Sequence, residues 1–121
     1  MKVYLAGGLS DDWQDRVPDG FEFLDPRTWQ DPDPKVYTAR DLAAIRESDA
    51  VLAYMSSGNP SGFGMSLEVG YAAALGKPIV FVDDIQCDWR SRYFGMVRSV
   101  SHVVPTFETA IDWLRGLSDG R

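Results

Sequence analysis

A three-layer, doubly wound α/β domain is the fold class that the sequence predicts, and two observations carry it. Five short β-rich apolar runs alternate with stretches of helical character. The third and fourth runs are apolar at consecutive positions, the pattern of central parallel strands covered on both faces. The first run, residues 3–6, opens the chain, and residues 11–17 read as a short helix leading to the second run at 21–24. Residues 37–48 then form a firmer helix before the third run at 50–55. A helix over 65–75 precedes the fourth run at 79–82, and the fifth run is 102–104. The last helix, 107–117, places Phe107, Ile111 and Leu114 at helical spacing. With right-handed crossovers this order predicts a five-stranded parallel sheet, and a flavodoxin-like strand order 2-1-3-4-5 is the expectation.

The chain of 121 residues suits a single domain spanning residues 1–121. Eighteen acidic against 12 basic residues give a formal net charge of -6, the opposite of the footprint that phosphate-backbone binding needs, so nucleic acid is not an expected partner. Apolar residues at 45% supply enough material for a core. Cys87 and His102 are each the only residue of their type, which excludes an internal disulfide and a Cys-rich or His-cluster metal site. The opening apolar stretch is too short for a signal segment or a bilayer span, so the expectation is a soluble cytoplasmic protein without a membrane partner.

In an open parallel sheet, ligands sit beyond the carboxyl ends of the strands near the switch in strand order. Gly7-Gly8 after the first run, the 56–64 turn after the third and Asp83-Asp84 after the fourth should therefore meet on one rim. The irregular segment 25–34 holds three prolines together with Arg27 and Trp29, and reads as a surface flap or a subunit contact.

Between residues 50 and 76 the only charged residue is Glu68, on a predicted helix face shared with Met65, Ala72 and Leu75. Helix capping is the plain alternative, but a capping box would need Ser or Thr at position 65, which is Met. Asp41 also lies in an apolar stripe, between Tyr37 and Ile45; here Thr38-Ala39-Arg40-Asp41 matches a capping box, so both readings stand. Tyr4 in the first run is either a core tyrosine or a hydroxyl aimed at the same rim. Two carboxylates on one pocket suit displacement at an acetal carbon, one attacking or stabilising the cationic centre while the other handles the leaving group's proton. No dinucleotide fingerprint or phosphate loop competes with that chemistry.

These residues resemble a known family. Residues 1–7, Arg40-Asp41-Leu42 with Ile45, residues 48–52, Gly62-Phe63-Gly64, Glu68-Val69-Gly70-Tyr71-Ala72 and Gly76-Lys77-Pro78-Ile79 look like the nucleoside 2-deoxyribosyltransferases. The resemblance implies ping-pong transfer of 2-deoxyribose between bases, with no metal or organic cofactor. It makes Glu68 the nucleophile, Asp41 the acid/base and Tyr4 the group orienting Glu68. Glu68 would then be kept ionised by a helix N-terminus and the Tyr4 hydroxyl, while Asp41 would need an apolar setting to hold a proton. The sugar would lie against Gly7, Gly8 and the turn carrying Asn59, Ser61, Gly62 and Gly64. Asn59-Pro60-Ser61 stand where the family commonly has an acidic residue, and the spacing from Gly64 to Glu68 is longer than in several relatives. His102 occupies the region where a neighbouring subunit often donates a polar residue to the pocket; a strand-edge histidine is the alternative.

Three functions follow as expectations. The first is a nucleoside 2-deoxyribosyltransferase taking nucleosides and nucleobases, with Asp11, Asp12 and Asp15 repelling a 5′-phosphate. The second is an N-glycoside hydrolase of nucleosides or nucleoside 5′-monophosphates, with Ser10, Ser56, Ser57 and Ser61 and Arg27 or Arg98 as phosphate ligands. The third is a non-catalytic nucleotide-binding module. A homo-oligomer is expected, with Trp29 and the 89–94 segment as interface; alternatively residues 85–97 form a lid.

Overall fold

A computed structural model describes residues 1–86 and 88–120. Cys87, singled out above, lies outside the described residues. Five parallel strands, β1 (Lys2–Ala6), β2 (Glu22–Leu24), β3 (Ala50–Met55), β4 (Ile79–Asp83) and β5 (His102–Val104), form one sheet in the order β2-β1-β3-β4-β5. This is the expected flavodoxin-like α/β arrangement, with helices on both faces of the sheet. Every residue of β3 and β4 is buried, which is why those runs carry no polar alternation.

The strand period of two sorts the sheet into two cores. Tyr4, Ala6, Val51, Ala53, Met55, Ile79 and Phe81 face α1 (Pro34–Glu47) and α2 (Phe63–Ala74). Val3, Leu5, Leu52, Tyr54, Val80 and Val82 face α4 (Phe107–Ser118) and the buried Trp13. Tyr4 thus projects to the side that carries Asp41 and Glu68.

Three local expectations change. The first connection is a single 3-10 turn, Trp13–Arg16, because Trp13 anchors it by donating to the Gly8 carbonyl at 2.7 Å. Helix α1 begins at Pro34, a turn earlier than the apolar pattern suggests: Asp33 accepts from the Lys35 amide, and a proline in the first turn needs no donor of its own. Thr38 is therefore inside the helix, and the capping-box reading of Asp41 falls. Where a lid over 85–97 is the alternative expectation, a 3-10 stretch, Trp89–Phe94, leads into a short α3 (Gly95–Ser99). Ile85, Phe94 and Val97 are buried in the core beside α2, which ties this segment down and removes Phe94 from the expected interface, while Trp89 and Tyr93 are exposed. Among the described residues, no helix is long and apolar enough to cross a membrane.

Gly62 starts α2 with φ 74°, and a Cβ there would stand 2.7 Å from Met55 Sδ and 2.8 Å from Phe94 Cζ. Gly62→Ala should therefore destabilise the fold by about 2 kcal/mol or more in urea unfolding. Gly70→Ala, mid-helix with no neighbour within 4 Å, should be neutral or stabilising. Equal effects of the two substitutions would contradict this account of the turn.

Candidate active site

A cleft of about 480 Å³ opens at the carboxyl end of β1, between α1, α2 and the segment that follows β2. Its lining includes Gly7, Trp29, Gln30, Tyr37, Asp41, Gly64, Met65 and Glu68. Glu68 is only 9% exposed, on the buried face of α2 with Met65, Val69 and Ala72. The Tyr4 hydroxyl donates to its Oε2. Asp41, on α1, lines the same cleft and is close enough for its charge to act on Glu68. Trp29 donates its indole N–H to Asp41 Oδ1 at 2.8 Å, and its ring lies 6.5 Å from that of Tyr4. The three residues expected to carry chemistry are thus brought together.

The protonation of the pair departs from the expectation. Burial pushes the Glu68 carboxyl up to about 8; the Tyr4 hydrogen bond opposes this, and Asp41 reinforces it. Support from the helix N-terminus is weak, because α2 starts at Phe63 and Glu68 lies in its second turn, whereas the dipole effect fades beyond the first. At neutral pH the Glu68 carboxyl therefore holds its proton. Burial, and next the Glu68 charge, push the Tyr4 hydroxyl far above its usual range, so it remains a donor.

The loop after β2 reaches the cleft because Arg27 holds it. Its guanidinium pairs with Asp25 at 2.7 Å, Asp15 at 2.9 Å and Asp12 at 3.0 Å. Two of the acids expected to repel a phosphate are thus already paired with Arg27. Arg27 itself is not free to bind one, and neither is Arg98, whose Nε donates to Asp83 at 2.6 Å. A second tie, buried Arg90, donates to the carbonyls of Asn59 and Ser57 and pairs with Asp88, fixing the 56–62 turn.

Of the remaining expected residues, Gly7 and Gly64 line the cleft. Gly8 packs against the Asn59 side chain, and Asn59 Oδ1 accepts from the Ser61 amide at 3.2 Å. Ser61 borders a separate groove with Trp89 and Tyr93, while Gly62 is packed on Met55 and Phe94. His102 stacks on Trp113 at 4.9 Å, on the edge strand β5, away from the cleft of its own chain. The sequence reading missed Trp29, Gln30 and Tyr37 as cleft residues. A tryptophan in a proline-rich loop was the signal for the first, and a flap is the alternative it fits. Among the described residues, no group of three His, Cys, Asp or Glu side chains is placed to hold a metal ion.

The cleft at the sheet's carboxyl edge thus joins two acidic side chains and a tyrosine on an open α/β fold. Residues 3–101 match the family described as nucleoside 2-deoxyribosyltransferase, and the chain belongs to it. Among solved structures, it is similar to the 2-deoxyribosyltransferase of Bacillus psychrosaccharolyticus, at 19% identity and a TM-score of 0.69, over 91% of this chain and 90% of that one. It is also similar to the CMP N-glycosidase of Clostridium botulinum, at 22% identity and a TM-score of 0.60, over 95% and 98% of the two chains. No curated protein matches the sequence.

The elevated Glu68 carboxyl has a thermodynamic signature. Its unfolded reference is near 4.5 and its folded value about 8, so it contributes stability that is full below pH 4.5 and lost as pH rises to 8. Glu68→Gln lacks this loss. Its stability relative to wild type should rise across pH 4.5–8 by on the order of a few kcal/mol and level off above. Parallel pH–stability curves for the two proteins would contradict the buried, proton-holding Glu68.

Proposed function

We propose that this protein exchanges the base of 2′-deoxynucleosides through a covalent glycosyl-Glu68 intermediate. The observation that carries the reading is the buried Glu68 carboxyl on the cleft wall, with Tyr4 on one oxygen and Asp41 beside it. Tyr4 occupies Oε2, which leaves Oε1 to attack C1′. As that carbon becomes cationic, the positive charge favours ionised Glu68, which gives up its proton to Asp41. The C1′–N bond breaks, its electron pair stays on the base nitrogen, and Asp41 delivers its proton there. In the second half an incoming base gives a proton to Asp41, attacks C1′ and releases Glu68.

Among the described residues lining the cleft none is Lys or Arg, which supports a neutral nucleoside over a 5′-monophosphate. Hydrolysis uses the same groups with water as acceptor, and the same assay separates the two. Incubation with a 2′-deoxynucleoside and a second free base should yield the new nucleoside, with little base released when the acceptor is omitted. Glu68→Ala should lower the rate by about 1,000-fold or more. Release of base at the same rate without an acceptor would replace transfer by hydrolysis, and absence of both reactions would refute the reading.

A further inference from the structure

We propose that Trp29 is the positioning residue of the acid/base step, holding Asp41 through the indole N–H so that its other oxygen carries the proton to the departing base. The inference rests on the function proposed above. Trp29 is the side chain common to both halves of the site, with its N–H on Asp41 Oδ1 and its ring beside that of Tyr4. It is fixed from three sides. Arg27 anchors the preceding turn through Asp12, Asp15 and Asp25, Arg40 donates to the Trp29 carbonyl at 3.2 Å, and the ring packs against the core cluster containing Met65 and Val69.

An indole N–H is a donor only. Its bond to Oδ1 makes that oxygen an acceptor and leaves Oδ2 as the proton carrier. A carboxyl without such a donor can place its proton on either oxygen and rotate away from the base. The atoms balance without Trp29 changing: the Oδ2–H bond breaks, the base N–H bond forms, and the indole keeps its proton. Tyr4 does the corresponding work on Glu68 by occupying Oε2.

The role separates from simple support of the fold by its dependence on the leaving group. Trp29→Phe keeps a ring and removes the donor. On a 2′-deoxynucleoside it should lower kcat by about 10- to 100-fold with little change in KM. On 4-nitrophenyl 2-deoxyriboside, whose phenolate departs without a proton, the rate of the first-turnover release of phenolate should stay within about twofold of wild type. In an Asp41→Ala background Trp29→Phe should cause no further loss on the nucleoside. Should Trp29→Phe fold poorly, benzothienylalanine at position 29 replaces the N–H by sulfur in nearly the same shape, and the same pattern is expected. Wild-type activity with equal losses on the two substrates, or with none, would overturn the positioning role alone. Wild-type protein that cleaves neither substrate would overturn the proposed function and this role with it.

Discussion

Burying Glu68 without a cation beside it is the constraint around which the rest of the molecule is arranged. An ionised carboxylate away from water is costly, and the usual remedy is an Arg or Lys partner. Among the described residues, none is shown pairing with this one. It has a phenol that donates to one oxygen and a second acid close by, so burial dominates and the carboxyl holds on to a proton. A cation would have fixed Glu68 in its charged state and left it a poor partner for a developing oxocarbenium centre. In the proposed reaction the positive charge that Glu68 would meet is that of the sugar carbon, and interactions that are strongest in the transition state are those that accelerate a reaction.

Arg27 and Arg90 hold loops instead. Arg27 gathers three aspartates from two loops and so brings Trp29 over the cleft. Arg90, nearly buried, takes carbonyls from the 56–62 turn and sets the geometry in which Gly62 begins α2. Partly exposed ion pairs of this kind contribute modestly to stability. Their consequence is placement, and a cleft whose described lining is apolar and acidic, without a fixed positive charge, in a chain of net charge -6.

What was legible in the sequence followed from period and isolation. Continuous apolar runs marked β3 and β4, and the strand period of two directs Tyr4 to one defined face of the sheet. Glu68 stood out because the 27 residues around it carry no other charge. The Asp33-Pro34 helix start was present as a sequence signal but masked by the surrounding prolines, so Thr38 was read as a cap. Trp29 was visible as an anomaly, whereas its partner was not. The bond to Asp41 depends on an ion-pair cluster assembled from residues 12, 15, 25 and 27, which local pattern does not encode. The protonation of Glu68 was misjudged for a similar reason. A helix N-terminus can be read from sequence, but the depth of burial in a cleft made of four elements is a property of packing.

The central claim is that the Glu68 carboxylate bonds to the anomeric carbon. Its most direct test is intact-mass analysis after mixing with a 2-fluorinated 2′-deoxynucleoside, which slows breakdown of a glycosyl intermediate, followed by digestion and sequencing of the modified peptide. The account predicts a gain of one fluorosugar per chain, on Glu68, that disappears when an acceptor base is added. Adduct on another residue, or turnover of the fluorinated substrate with no adduct under conditions that trap esters, would contradict it.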